Sequence, residues 1–144
     1  MIRDLLVMAW PFGDTVLTSF RWAEDYFPPD LFLGTAKLSQ ISSWVNETMY
    51  EVIFRCEGCL SWTADDGSIE TVATTDGRLL LGHAQSHDAP DNPGCPDDIL
   101  VKFHDNGFGL WMADIGNASS TDYTKWAALA TKTVPDTCTT ATSS

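Results

Sequence analysis

Basic residues are scarce: 8 Lys and Arg stand against 20 Asp and Glu in 144 residues, a formal net charge of −12. No basic patch forms along the chain, so nucleic acid and anionic membrane surfaces are poor partners on electrostatic grounds. Long apolar runs are missing too; none approaches the ~20 residues that span a bilayer. The chain opens without a basic start, apolar run and small-residue cleavage site, so it shows no signal peptide. Histidine is limited to three and cysteine to four. The sequence holds no HExxH, no Ser-His-Asp order and no Gly-rich phosphate loop. Hydrolase chemistry is not indicated, and no autonomous turnover site emerges.

What is present reads as one globular domain, with 44% hydrophobic and 19% charged residues. A chain of this length buries roughly 68–70% of its unfolded surface. Short apolar runs bounded by turn residues dominate. Leu5 to Trp10 and Thr15 to Arg21, joined through Pro11-Phe12-Gly13-Asp14, predict a hairpin. Thr35 to Val45 predicts a strand, and so does Met49 to Cys56, with Tyr50, Val52, Phe54 and Cys56 on one face at period two. Arg78 to Ala84 is another apolar run. Ile99 to Phe103 and Phe108 to Ile115 are expected to pair around Asp105-Asn106-Gly107. One helix is expected, with Ser119-Ser120-Thr121-Asp122 as a capping box and Tyr123, Trp126, Ala127 and Ala130 at helical spacing. The expectation is an all-β, antiparallel β-sandwich over residues 1–130 with one short C-terminal helix. Residues 131–144, of which eight are Thr or Ser, read as a tail or linker.

Cys56-Glu57-Gly58-Cys59 has no second pair to complete a zinc ribbon, since Cys95 and Cys138 stand alone. A redox CxxC sits at a helix N-terminus; this one follows a strand and precedes Leu60-Ser61-Trp62, a setting for a disulfide closing a tight turn. Whether Cys95 pairs with Cys138 is left open. The tripeptides Asn46-Glu47-Thr48 and Asn117-Ala118-Ser119 are N-glycosylation acceptors. With the cysteines and the Thr/Ser tail they lead us to expect a secreted, extracellular glycoprotein. His83 and His87 lack clustered partners. His104 ends an expected strand directly before Gly107-Phe108-Gly109, where small residues let a large planar group approach the backbone. The tryptophans, Trp10 among them, sit where core burial explains them.

Several segments in order resemble the haem b cytochrome domain of fungal cellobiose dehydrogenases and related iron-reductase modules. They are Met1 to Trp10, Ser19-Phe20-Arg21-Trp22-Ala23 with Tyr26, Ile53 to Cys59, His104 to Gly109, and Ser120 to Trp126. The resemblance implies an immunoglobulin-like sandwich of the DOMON type holding a non-covalent haem b. It implies Met1 and His104 as axial ligands of the iron, Tyr26 as partner of a haem propionate and Trp10 packed near the ring. Cys56 and Cys59 match a cysteine pair of that family. Family members carry further strands before the ligand methionine, so the expectation is an N-terminally truncated chain that has lost those strands and a signal peptide. The implied function is electron transfer: single electrons from a flavin dehydrogenase to a copper polysaccharide monooxygenase, ferric complexes or quinones. The competing expectation is a non-redox extracellular module that binds a carbohydrate or another ligand.

Overall fold

The computed structural model describes residues 3–64, 66–132 and 138. Among the described residues ten strands, one 3-10 turn (Pro96–Asp98) and two short α-helices are present: β1 (Asp4–Phe12), β2 (Thr15–Ala23), β3 (Asp30–Leu31), β4 (Lys37–Val45), β5 (Tyr50–Glu57), β6 (Ser61–Thr63), β7 (Ile69–Thr71), β8 (Thr74–Thr75), β9 (Arg78–Ala84), β10 (Phe108–Asp114), α1 (Ile115–Ala118) and α2 (Tyr123–Ala127). Every named strand pair is antiparallel. The sheet orders are β1-β2-β3, β10-β9-β8, β4-β5 and β6-β7.

The first hairpin forms where the apolar runs place it. Gly13, at φ 63°, is the first of the two residues between β1 and β2. Glycine there reaches a positive φ without a steric penalty, so the two strands run in continuous register from Asp4↔Ala23 to Phe12↔Thr15. Strand β2 is covered on both faces. Leu17 pairs across to Trp10, and both pack with Ile99, flanked by Met8 and Val101. Phe20 and Trp22 point the other way, into a cluster with Phe32, Ala36 and Trp62. The two clusters follow from the period-two alternation of a strand buried on both sides.

Polar groups inside this core are paired, as burial demands. Gln40 of β4, only 3% exposed, donates from Nε2 to the Val16 carbonyl at 2.9 Å and to Thr18 Oγ1 at 3.2 Å, and so fastens the β4–β5 hairpin to β2. On the opposite face the buried Arg21 donates from Nη2 to the Pro96 carbonyl at 2.7 Å and from Nε to Ser19 Oγ at 3.1 Å. Burial pushes its guanidinium below the ordinary arginine value.

Two expectations are corrected. Residues 99–103 do not form a strand beside β10; β10 pairs with β9, from Phe108↔Ala84 to Asp114↔Arg78. The 99–103 segment makes an isolated bridge, Asp91↔Leu100, and spends Ile99 and Val101 on the Trp10–Leu17 cluster. Its apolar alternation records packing against the β1–β2 sheet, not pairing. The capping residue of α2 is Asp122, whose side chain makes no cap bond, and the one-turn α1 precedes it with Asp114 as N-cap.

Cys56 and Cys59 are disulfide-bonded, with Cα atoms 5.7 Å apart. Cys95 and Cys138 form a second bond with Cα atoms 4.6 Å apart. That bond ties residue 138 of the Thr/Ser-rich segment to the loop beneath β2, and Lys132 bridges Gln40 on β4.

Candidate functional site

A cleft of about 1000 Å³ opens on the Trp10 side of the β1–β2 sheet. Its floor is Leu6, Met8 and Trp10 of β1 with Ile99 and Val101. One wall is the β4–β5 turn, Asn46 to Tyr50, and the other is the loop from Gln85 to Pro90 facing residues 102–106. The volume is at the upper end for small-molecule and cofactor sites.

Each wall is tied down. The Tyr50 hydroxyl donates to the Ala9 carbonyl at 3.0 Å, joining the β4–β5 turn to β1. On the far side Gln85 N–H donates to the Gly107 carbonyl at 2.9 Å, and Asn106 N–H to the Gln85 carbonyl at 3.0 Å. Asp105 Oδ1 accepts from the His87 backbone N–H at 3.0 Å and lies 3.3 Å from the His87 Nδ1. The backbone hydrogen bond from His87, then its ring, holds the Asp105 carboxyl below the usual aspartate value. These contacts clamp the turn that carries His104. Gly107 closes that turn at φ 103°, a conformation L side chains rarely adopt.

His104 lines the cleft, half-buried. Its ring stacks on Phe103 at 4.5 Å and 24°, and meets Phe108 edge-on at 5.3 Å and 67°. Two aromatic neighbours fix the plane of the imidazole. Its Nδ1 is buried, with no hydrogen-bond partner among the described residues. Leaving such a group unpaired costs about 1–3 kcal/mol, and metal-ligating histidines normally give their second ring nitrogen a partner. Among the described residues no three His, Cys, Asp or Glu side chains converge as a metal site. An iron held inside a porphyrin needs no such cluster, because the macrocycle provides the four equatorial donors and the protein only the axial ones.

Of the other expected residues, Trp10 and Tyr26 both line the cleft. Trp10 is 5% exposed, and its Nε1 donates to the Pro93 carbonyl at 2.9 Å, so its indole is fixed as floor. Tyr26 is exposed at the rim beside Phe27. Met1 lies outside the described residues. Asn46 stands at the cleft edge, and Asn117 lies in α1 away from it. Sequence reasoning did not find Met8, Met49, Tyr50, Phe103 or His87 for this site. Only Phe103, adjacent to His104, carried a signal that could have named it. The charged lining is mostly acidic, with Asp25, Glu47 and Asp88 against Lys102, whose Nζ is 2.6 Å from Asp91 Oδ2.

A sequence model of the family described as the cytochrome domain of cellobiose dehydrogenase matches residues 1–125. The chain belongs to that family. The solved cytochrome domain of Myriococcum thermophilum cellobiose dehydrogenase superposes with a TM-score of 0.85 at 47% identity, over 93% of this chain and 64% of that one. The cytochrome b domain of pyranose dehydrogenase from Coprinopsis cinerea superposes at 0.72 and 29% identity, over 93% of this chain and 66% of that one. A pyrroloquinoline quinone-dependent pyranose dehydrogenase of Coprinopsis cinerea is 34% identical over 125 residues, 85% of this chain and 16% of that protein. The chain therefore spans about two thirds of the solved cytochrome domains and a small part of the whole dehydrogenase. The antiparallel fold and the order of its segments are those of the family, and membership implies a haem. The His104 face fits one: a buried, orphaned imidazole nitrogen stands in the wall of a cleft floored by apolar side chains.

Proposed function

We propose that this domain is a haem b electron carrier, whose iron His104 and Met1 would hold. The orphaned Nδ1 of His104, buried in the cleft wall between Phe103 and Phe108, is the observation that carries the reading. Haem b held there would supply reversible one-electron chemistry, and a thioether ligand would favour the reduced iron. The protein's own residues position and shield it. Phe103 and Phe108 orient the imidazole, while Met8, Trp10, Ile99 and Val101 give the cleft an apolar floor that excludes water. Tyr26, at the rim, offers a phenolic donor to a propionate. His104 and Met1 together would hold the iron, and the role read from the family is electron transfer.

The donor is the dehydrogenase of a sugar-oxidising protein, a reading supported by the likeness to the cellobiose and pyranose dehydrogenase cytochromes; we take it to be a flavin dehydrogenase, although the Coprinopsis cinerea relative is pyrroloquinoline quinone-dependent. The acceptors are a copper polysaccharide monooxygenase, ferric complexes or quinones, and the setting is extracellular, where the two disulfides persist. Stopped-flow mixing of the hemin-loaded protein with a cellobiose-reduced flavin dehydrogenase tests this. Reduction of the haem bands by the flavin, followed by reoxidation by ferric chelate, is expected. Tight sugar binding with no haem reduction would favour the carbohydrate-binding alternative.

A further inference from the structure

Both glycosylation asparagines are exposed, but their tripeptides lie in different local structure, a turn for Asn46 and a helix for Asn117. Asn46 opens the β4–β5 turn, exposed, on the rim of the cleft with Glu47, Thr48 and Met49. Its Oδ1 accepts from the backbone N–H of Thr48 and of Met49, both at 2.9 Å, and lies 3.3 Å from the Thr48 hydroxyl. All of these contacts use the oxygen, and among the described residues the Nδ2 that would bear a sugar has no partner. At the second site the Ser119 hydroxyl donates to the Ile115 carbonyl at 2.6 Å, and Asn117 sits within helix α1. Two disulfides place the chain in an oxidising compartment of the kind where N-glycans are added.

We propose that Asn46 carries an N-linked glycan, that Asn117 does not, and that the glycan screens the β4–β5 side of the cleft from protein-sized partners. The modification joins Asn46 Nδ2 to the anomeric carbon of a lipid-diphosphate-linked oligosaccharide. The sugar–phosphate C–O bond breaks, the lipid diphosphate leaves with the electron pair, and the amide gives up one proton. The glycan displaces no contact of the fold, because Nδ2 makes none. It stands beside Tyr50, whose hydroxyl fixes this turn to β1 and so fixes where the sugar projects. Partners must then approach from the opposite rim, Tyr26 to Pro29 and Gln85 to Pro90. Only the screening half of the proposal rests on the electron-transfer reading.

The full chain, secreted from yeast behind a cleavable leader, is deglycosylated in heavy-oxygen water and mapped by mass spectrometry. Label at Asn46 but not at Asn117 is expected, and Thr48→Val, which keeps the backbone bonds to Asn46, should remove it. An unlabelled Asn46, or equal label at Asn117, overturns the assignment. Reoxidation of the reduced protein is then compared before and after trimming the glycan to one sugar. With cytochrome c as acceptor the rate should rise at least about threefold, as expected for relief of a docking constraint, while a small ferric chelate should show no change. Equal rates with cytochrome c overturn the screening role. Material that binds no hemin but carries the sugar refutes the electron-transfer reading and leaves the glycosylation assignment intact.

Discussion

Removing the Cys95–Cys138 bond should cost this protein far more than removing Cys56–Cys59. The first closes a sequence separation of 43 residues and the second a separation of 3. Loop-closure entropy in the unfolded chain then gives about 4 kcal/mol for the long loop and about 2 kcal/mol for the short one. The long bond also anchors the segment whose Pro96 carbonyl receives Arg21 and whose Ile99 meets Trp10 and Leu17. Any loosening there adds to the difference. Double variants to alanine at each pair avoid leaving a free thiol. Urea unfolding of both, and of the parent protein, at one fixed hemin concentration is the assay. Cys95→Ala/Cys138→Ala is expected to lose about 4 kcal/mol, or roughly 10–15 °C in Tm. Its m value should rise, because the unfolded chain expands when the loop opens. Cys56→Ala/Cys59→Ala should lose about half as much, with m unchanged. Equal losses, or a larger loss at Cys56–Cys59, would refute the loop-entropy reasoning.

Three further outcomes follow from single contacts. Arg21→Met strands the buried Pro96 carbonyl and should cost about 2–3 kcal/mol in denaturant unfolding; a loss under about 1 kcal/mol would show that the pairing is not stabilising. Gly34→Ala places a methyl group against the Thr63 carbonyl and the Phe32 ring, and overpacking of this kind costs about 1–3 kcal/mol; an unchanged urea midpoint would contradict the packing. The Asp105 carboxyl is held below its ordinary value by His87, so its anchoring of the 85–90 loop is present at neutral pH and lost as pH falls through the acidic aspartate range. Amide exchange at His87 should lose its protection there, whereas Asp105→Asn should show no such acid transition; an acid transition of the same size in that variant would count against the contact.

Local patterns made much of this fold legible. The β1–β2 hairpin, the β4–β5 strands, the Cys56–Cys59 bond and the helical stretch from Tyr123 all rest on neighbours in sequence, where period, turn residues and caps speak directly. Pairings at a distance were not legible. The Asp105-Asn106-Gly107 turn looks like a hairpin apex, yet β10 finds β9 across the intervening loop. An apolar run such as Ile99 to Phe103 satisfies its side chains equally well by packing as by pairing. The partner of Cys95 stayed open for the same reason. At the site, His104 stood out only through its neighbours in sequence and the family resemblance. Gln40, which fastens the β4–β5 hairpin to β2, gave no signal, because in sequence an amide destined for a buried carbonyl and a buried hydroxyl looks like any surface glutamine. The cleft walls from Met49, Tyr50 and His87 converge only once the chain has folded.

The measurement that bears most directly on the account is the visible spectrum of the protein titrated with hemin, alongside His104→Ala. One hemin per chain is expected, with low-spin bands that sharpen on reduction in the parent and are lost in the variant. A parent protein that stays colourless, or a variant that keeps the same low-spin bands, would contradict a haem held by His104.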